Sequence, residues 1–391
     1  MAAPDPAELR REFLLDPEIA FLNHGSFGAC PRPVFERYQG WQRELEREPV
    51  DFIDRRLPGL LDEARTELAR YAGASPTDLA FVTNATLGVN LAGRALDLQP
   101  GDEVLTTDVE YGACDLAWEW ICRRARARYV RAAIPLPLAA PQEVVTALFA
   151  QRTERTRAVY ISHVTSATAL VLPVAEVVAR ARELGLVTVV DGAHAPGHVP
   201  LGLDDLGAEF YSANAHKWLC APKGAGFLHV RPEWQERVDA AIVSWGYSAG
   251  RTFNERIELQ GTRDVSAWLA VSDAIRFQEE RDWDDVRARC HALACEARRS
   301  LCELLGTAPL APEEMLGQMA TVTLPRPAPG LTGRLFRRHR IEIPTTGLHD
   351  ERLRVSVAAY TTSEEIERLL SALLRELDAE EGEEREQPEP E

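Results

Sequence analysis

An acid and an amine each follow an apolar segment of this chain. Residues 186–190 are apolar and Asp191 comes directly after them, while Lys217 follows Phe210 and Tyr211 further along. In an open α/β sheet, ligands bind outside the carboxyl ends of the strands. Pyridoxal phosphate needs both groups there, because an amine forms its Schiff base and a carboxylate keeps its ring nitrogen protonated. The sequence therefore predicts that Lys217 carries this cofactor and that Asp191 pairs with it. The alternative is two unrelated residues that face solvent.

Further polar residues stand at other predicted strand ends. Thr86 lies where a helix opens after a strand, and the free N–H groups of a helix start attract phosphate. Tyr111 stands at another strand exit, where its ring can stack on a pyridine. Ser166 could contact that ring or its phenolic oxygen, and His194 is another candidate donor to the oxygen. Each alone has an ordinary alternative, namely a helix cap, a loop tyrosine or a structural histidine. Several polar groups at successive strand ends favour a binding site.

The elements that must position these residues alternate along the chain. Apolar strands are predicted at residues 79–83, 103–106, 158–162, 187–190 and 226–230. Helices are predicted between them, for example at residues 61–71, 89–96, 113–126 and 174–184. Continuous apolar strands joined by helices predict a largely parallel sheet covered on both faces, the α/β class.

The pattern changes after residue 265. Long helices at 265–277 and 283–305, alternating strands at 320–324 and 353–357, and a last helix at 363–377 indicate a smaller α+β domain. We predict a large domain over residues 25–265, a small domain built from 1–24 and 266–377, and a disordered acidic tail over 378–391.

Bulk composition excludes several kinds of partner. The chain has 391 residues, of which 45% are hydrophobic, and a net charge of −17. The tail holds eight acids and one arginine, so it carries −7 of that charge. No basic stripe suits a nucleic acid. No segment has the ~18 consecutive apolar residues of a membrane span, and no signal peptide is seen, which predicts a cytoplasmic location. Seven scattered cysteines and nine dispersed histidines predict reduced thiols and no metal site.

Six segments, in this order, resemble the class V aminotransferase group of fold-type I pyridoxal phosphate enzymes, and within it the isopenicillin N epimerase-like branch. They are residues 22–28 (LNHGSFG), 110–113 (EYGA), 190–197 (VDGAHAPG), 216–219 (HKWL), 244–247 (SWGY) and 261–264 (GTRD). The resemblance implies a mostly parallel seven-stranded sheet in the large domain. It also implies a homodimer with shared active sites.

The same resemblance assigns roles to individual residues. Lys217 would hold the cofactor and move the α-proton, Tyr111 would stack on the ring, and His194 would contact the phenolic oxygen. Arg354 would bind the carboxylate of an amino-acid substrate, beside Asn23 and His24. The cofactor phosphate would be bound by the Ala85 backbone, Thr86, Asn214 and His216, and by Gly261 and Thr262 of the neighbouring subunit.

Two departures bear on the reaction. Residues 339–352 contain no cysteine, whereas cysteine desulfurases carry a nucleophilic cysteine there, so persulfide chemistry is disfavoured. Ser166-Ala167-Thr168-Ala169 stands where epimerase relatives have Ser-Pro-Thr-Gly, which implies a different substrate pocket.

The expected function is that of an epimerase-like enzyme acting at the α-carbon of an amino acid in secondary metabolism. An epimerase needs an acid on the face opposite Lys217, for which His24 and Tyr111 are candidates. Alternatives are a carbon–sulfur lyase that cleaves an S-conjugated cysteine, an aminotransferase, and a non-catalytic binding scaffold on the same fold.

Overall fold

The large sheet has seven strands, as predicted. A computed structural model describes the backbone of residues 4–347, 349 and 351–386, and side chains as far as residue 377. The strands are Leu79–Val82 (β1), Glu103–Thr107 (β2), Arg128–Ala132 (β3), Thr156–Ser162 (β4), Val187–Gly192 (β5), Phe210–Asn214 (β6) and Gly226–Val230 (β7). Their order in the sheet is β1-β7-β6-β5-β4-β2-β3. Only β7 is antiparallel to its neighbours, so the sheet is mostly parallel.

Helices connect and flank these strands. They are Pro6–Glu12, His24–Phe27, Arg32–Arg47, Leu57–Ala72, Ala85–Ala95, Gly112–Ala125, Gln142–Ala150, Val174–Glu183, Leu203–Leu206, Pro232–Gln235, Phe253–Glu258, Ser266–Leu269, Val271–Glu279, Trp283–Leu305, Leu331–His339 and Ser363–Glu386. The helix expected over residues 265–277 is interrupted at Ala270. No helix in the described ranges is long and apolar enough to cross a membrane.

The strand order reverses between β2 and β4. From β2 the chain moves outward to β3 and then returns to the other side of β2, continuing through β4, β5 and β6. Such a reversal opens a crevice at the carboxyl ends of the strands, where ligands bind. Edge strand β3 was not predicted, because its sequence, RYVRA, contains two arginines and only its last residue is buried, so it lacks a continuous apolar run.

Side-chain alternation explains why the inner strands are apolar throughout. In β4, Val159 and Ile161 belong to one buried cluster, and Ala158 and Tyr160 belong to a second. Successive side chains of a strand point to opposite faces of the sheet. Helices cover both faces, so both sets are buried.

A second, antiparallel sheet lies in the C-terminal part. It consists of Met319–Thr323 (β8), Thr345–Thr346 (β9) and Arg352–Ser356 (β10), in the order β9-β10-β8. Ala20–Phe21 pairs in parallel with Ile341–Glu342, and the Ser356 N–H donates to Leu22 O. These contacts bring the N-terminal segment next to β10. The fold class, a large α/β unit with a smaller α+β part, is confirmed.

The exact domain boundaries stay a prediction. The last helix continues to Glu386 and so includes residues 378–386 of the expected acidic tail. The rest of that tail, residues 387–391, lies outside the described residues.

Candidate active site

Asp191 is held rigidly at the carboxyl end of β5. Its side chain is buried, and its Oδ1 accepts a hydrogen bond from the Ala193 N–H at 2.9 Å. Its Oδ2 accepts from the Tyr160 hydroxyl at 3.1 Å and the Cys114 thiol at 3.4 Å. Burial raises the pKa of Asp191, while the Ala193 N–H and the charge of Lys217 oppose that rise. The carboxylate is therefore fixed in one orientation.

Lys217 and His194 contact each other directly. Lys217 Nζ lies 3.1 Å from His194 Nε2, and the Trp218 Nε1–H donates to His194 Nδ1 at 3.2 Å. Since Nδ1 accepts, the proton of the neutral imidazole is on Nε2, and that N–H needs an acceptor. Only an unprotonated amine can accept it. Burial, together with the charge of Arg354, lowers the pKa of Lys217 to about 8.

The two groups predicted from the sequence are thus near each other. The charges of Lys217 and Asp191 influence one another's pKa in opposite directions. The site combines a fixed buried acid with an amine that readily becomes a nucleophile.

The predicted phosphate region lies at the start of helix Ala85–Ala95. The Ala85 N–H donates to Asn214 Oδ1 at 2.8 Å, and the Leu87 N–H donates to Asn84 Oδ1 at 2.9 Å. Side-chain oxygens commonly cap the free N–H groups of a helix start. The Ala85 N–H, which was predicted to bind phosphate, is capped in this way by Asn214. The Thr86 N–H and hydroxyl have no acceptor among the described residues.

His216 borders the same region. Its Nδ1–H donates to Ala225 O at 2.9 Å, and burial lowers its pKa to about 4. In the neutral ring, Nε2 therefore carries a lone pair and no proton. Nε2 can donate a hydrogen bond to an anion only after the ring binds a second proton.

Arg354 is a buried cation without a carboxylate partner. Its side chain lies in β10, and its Nη1 donates to Ser166 O at 2.7 Å and to Ser166 Oγ at 3.2 Å. Its Nη2 donates to Ser26 Oγ at 2.9 Å and Asn23 Oδ1 at 3.4 Å, while Nε has no partner. No acid among residues 4–347, 349 and 351–377 forms an ion pair with it. Burial lowers its pKa to about 10.

An unpaired buried guanidinium is costly, so its position favours an anionic ligand. Ser166 was predicted to contact the cofactor ring; in the structure it contacts Arg354. Asn23 was predicted to bind substrate, and it lies beside the same guanidinium.

His24 is not available as a proton donor. Its Nε2–H donates to Lys217 O at 3.0 Å, and its Nδ1 accepts from the Tyr360 hydroxyl at 2.8 Å. Burial lowers its pKa to about 3. Both ring nitrogens are engaged, so the expectation that His24 contacts substrate or supplies an acid is not supported. The helical turn His24–Phe27 turns this ring inward, a tertiary effect that its sequence neighbours do not reveal.

Three predicted residues are exposed. Tyr111 precedes helix Gly112–Ala125 and has 45% of its surface exposed. Gly261 and Thr262 lie in an exposed loop after helix Phe253–Glu258, where Gly261 has a φ of +98°. The structure places neither loop residue against the site of its own chain.

Four contributing residues were not predicted as site residues. Tyr160 and Cys114 hold Asp191, Trp218 sets the tautomer of His194, and Glu110 is a second buried acid close enough for the charge of Asp191 to raise its pKa. The Glu110 carboxyl accepts from the Ser162 N–H at 2.9 Å and the Thr107 hydroxyl at 2.6 Å. Burial raises its pKa to about 8. Tyr160 could have been found from its place in β4, since its strand neighbours the strand of Asp191.

The donor set fits pyridoxal phosphate. It offers a buried acid for a pyridinium, a nucleophilic amine for an aldehyde, and a helix start with a free hydroxyl for a phosphate. The family model "Aminotransferase class-V" matches residues 36–369. The chain belongs to the class V aminotransferase family. This family depends on pyridoxal phosphate, and the chain is a pyridoxal-phosphate-dependent enzyme.

Class V relatives with different reactions are similar to this chain. The isopenicillin N epimerase of Streptomyces clavuligerus is 40% identical over 392 residues, covering 95% of this chain and 98% of that protein. The L-cysteine desulfhydrase of Arabidopsis thaliana is 27% identical over 398 residues, covering 91% and 87%.

A solved structure shares the fold. It is a cystine C–S lyase variant with glycine covalently linked to its pyridoxal phosphate, at a TM-score of 0.81 and 22% identity, covering 95% of this chain and 99% of that one.

Proposed function

We propose that this enzyme acts at the α-carbon of an amino-acid substrate and that its reaction is epimerase-like. The observation that carries the proposal is the buried, unpaired guanidinium of Arg354, which lowers the pKa of the nearby Lys217. A planar guanidinium binds a carboxylate through two parallel hydrogen bonds. An amine-reactive centre beside a carboxylate anchor selects an α-amino acid.

Each residue has a defined task in this proposal. Pyridoxal phosphate, when bound, withdraws electrons from a bond to the α-carbon. Lys217 would hold the aldehyde of the cofactor and move the α-proton of the substrate, while Asp191 would keep the ring nitrogen protonated. His194 carries its proton on Nε2, so this N–H would be available to the phenolic oxygen of the cofactor when Lys217 does not accept it.

We assign the cofactor phosphate to the N–H and hydroxyl of Thr86. Asn214, His216 and the Ala85 backbone would complete the phosphate site. Tyr111 would stack on the ring. Its hydroxyl is also the remaining candidate for the acid on the second face, because both nitrogens of His24 are engaged.

The 40% identity to isopenicillin N epimerases over nearly the whole chain supports epimerisation. A carbon–sulfur lyase is the second candidate, supported by the desulfhydrase relatives. Transamination is a third outcome of the same chemistry. Persulfide chemistry is disfavoured, since residues 339–352 contain no cysteine.

We further infer a homodimer with shared active sites, in which Gly261 and Thr262 approach the phosphate of the neighbouring subunit. Their exposure in the single chain supports this arrangement. A cytoplasmic location and a role in secondary metabolism complete the proposal.

The experiment follows the α-hydrogen. Holoenzyme is incubated in D₂O with L- and D-amino acids, S-conjugated cysteines and isopenicillin N, and products are analysed by mass and chirality. Deuterium at the α-carbon with inverted configuration supports the epimerase, release of pyruvate with a thiol supports the lyase, and a keto acid supports the aminotransferase. Absence of α-exchange with every substrate would contradict the proposal.

Covalent attachment is tested separately. The chain has only two lysines, Lys217 and Lys223, so borohydride reduction and peptide mapping give an unambiguous answer. We expect the label on Lys217, with a Lys223→Arg variant as the matched control. A label on Lys223 alone would overturn the assignment.

A further inference from the structure

We propose that Asp78, Asp204 and His229 bind a divalent transition-metal ion of the zinc class. The site lies where the parallel strands of the large sheet begin, which we call the amino edge. Asp78 lies directly before β1, and Asp204 lies in the helical turn Leu203–Leu206 before β6. His229 is in β7, which runs antiparallel, so the end of β7 reaches the same edge. The opposite ends of the strands, which we call the carboxyl edge, carry Asp191.

The ligand atoms have the separation that one ion requires. One side-chain atom from each of the three residues lies within 4.8 Å of the other two. His229 Nε2 lies 3.5 Å from Asp204 Oδ1. Zinc bonds of about 2.1 Å at the tetrahedral angle separate two ligand atoms by about 3.4 Å. A hydrogen bond between nitrogen and oxygen would be shorter, at about 2.9 Å.

The imidazole of His229 lacks what a buried ring needs. It is 2% exposed, and neither ring nitrogen has a hydrogen-bond partner among the described residues. Buried polar groups are almost always satisfied. A neutral imidazole offers a lone pair to a metal ion.

The surroundings orient the first aspartate. Asp78 Oδ1 accepts from the Gln235 amide at 2.8 Å and from the Thr77 hydroxyl at 3.2 Å. Such hydrogen bonds to a ligating carboxylate fix its direction.

Charges of both signs line the open cavity of about 480 Å³ around the three ligands. Asp205 adds a third acid, and Arg182 and Arg231 add two cations. Arg182 donates to Gly207 O, and Arg231 pairs with Glu233 at 3.1 Å, so each arginine has an acceptor of its own. The three acids therefore outnumber the cations and favour a cation as ligand.

The ligand types select the ion. An imidazole nitrogen with two carboxylates suits Zn²⁺ and similar transition metals, with water completing the coordination. Mg²⁺ and Ca²⁺ prefer oxygen ligands alone. This site is independent of the proposed reaction, because it lies at the other edge of the sheet.

The test uses chelator-treated holoenzyme titrated calorimetrically with ZnCl₂, and with MgCl₂ for comparison. We expect one Zn²⁺ per chain at this site, little Mg²⁺ binding, and affinity reduced about 10–100-fold in His229→Gln and Asp204→Asn. The side chain of Asp204 is 56% exposed, so its variant remains folded even if the His229 variant does not. Zinc should also raise the melting temperature by about 2 °C or more.

The control is Asp205→Asn, which removes an equal charge from the same cavity without removing a member of the triad. It should retain zinc affinity within about threefold, and all three variants should keep the turnover of the parent enzyme. Crystals soaked with stoichiometric Zn²⁺ should show an anomalous peak between the three ligands. No zinc binding, unchanged affinity in Asp204→Asn, or an equal loss in Asp205→Asn would each overturn the proposal.

Discussion

The two edges of the large sheet differ in the kind of polar group that lacks a partner among the described residues. At the carboxyl edge, Asp191 has hydrogen bonds to both oxygens, whereas Arg354 forms no ion pair with any acid whose side chain the structure describes. At the amino edge, two aspartates lie beside the buried imidazole of His229, which makes no hydrogen bond within the described part of the chain. Burying an unmatched charge or polar group costs free energy, so such groups mark ligand positions. The first edge suits the anionic groups of a cofactor and a substrate, and the second suits a cation.

The largest loss of activity that would test the difference between the two edges is expected on substitution of Lys217. Lys217→Ala should abolish covalent cofactor attachment and lower turnover by about 10³-fold, because both nucleophile and proton carrier are lost. Absorbance of the bound cofactor and kcat measure the two effects. Lys223→Arg, the only other lysine position, should retain both. Covalent attachment of the cofactor that persists in Lys217→Ala would show that the carboxyl edge does not hold the cofactor through this amine.

Arg354 comes next. Arg354→Gln should raise KM about 10–100-fold with a smaller effect on kcat, since charged hydrogen bonds contribute about 1.5–3 kcal/mol each. Arg354→Lys should restore only part of the affinity, because an ammonium lacks the planar fork. Asp204→Asn at the opposite edge is the control and should leave KM unchanged. An equal KM in Arg354→Gln and the parent enzyme would contradict the proposal that Arg354 binds the substrate carboxylate.

A pH effect sharpens the contrast. The pKa of Lys217 is lowered to about 8, so the neutral amine fraction rises through pH 8 and levels off above it. The rate of covalent cofactor uptake by apo enzyme should follow that curve, whereas an ordinary lysine would show a midpoint near 10.4. Removing the charge in Arg354→Gln should shift the midpoint upward. A midpoint near 10 in the parent enzyme would contradict the lowered pKa that burial and the charge of Arg354 give Lys217.

The smallest effect concerns Glu110, the second buried acid of the carboxyl edge. Its folded pKa of about 8 lies above its ordinary value of 4.5, so between these values the folded state binds a proton that the unfolded state has released. Its contribution to stability therefore falls as pH rises from about 5 to 8. Glu110→Gln cannot titrate, so its free energy of unfolding relative to the parent should increase over that window by on the order of 1–3 kcal/mol.

Chemical denaturation at several pH values measures the difference. A difference that stays flat with pH would mean that Glu110 is ionised in the folded enzyme.

The apolar strands and the two groups that follow them could be read from the sequence. Strand β7 was predicted at its observed bounds, and β5 and its aspartate were found because a buried parallel strand is apolar throughout. Edge strand β3 was missed, since an exposed strand lacks that signal. The orientation of His24 was also not predictable, because it depends on Tyr360, which lies 336 positions away.

By itself, the sequence determined the α/β architecture, the family, and the lysine and aspartate that we propose for the cofactor site. Those features depend on local apolar periodicity and on short motifs. Only the tertiary structure decided which polar groups lack partners. Asp78, Asp204 and His229 have no recognisable spacing, and they meet because strands β1, β6 and β7 are neighbours in the sheet. The pairing of distant strands, which no local pattern encodes, creates that edge.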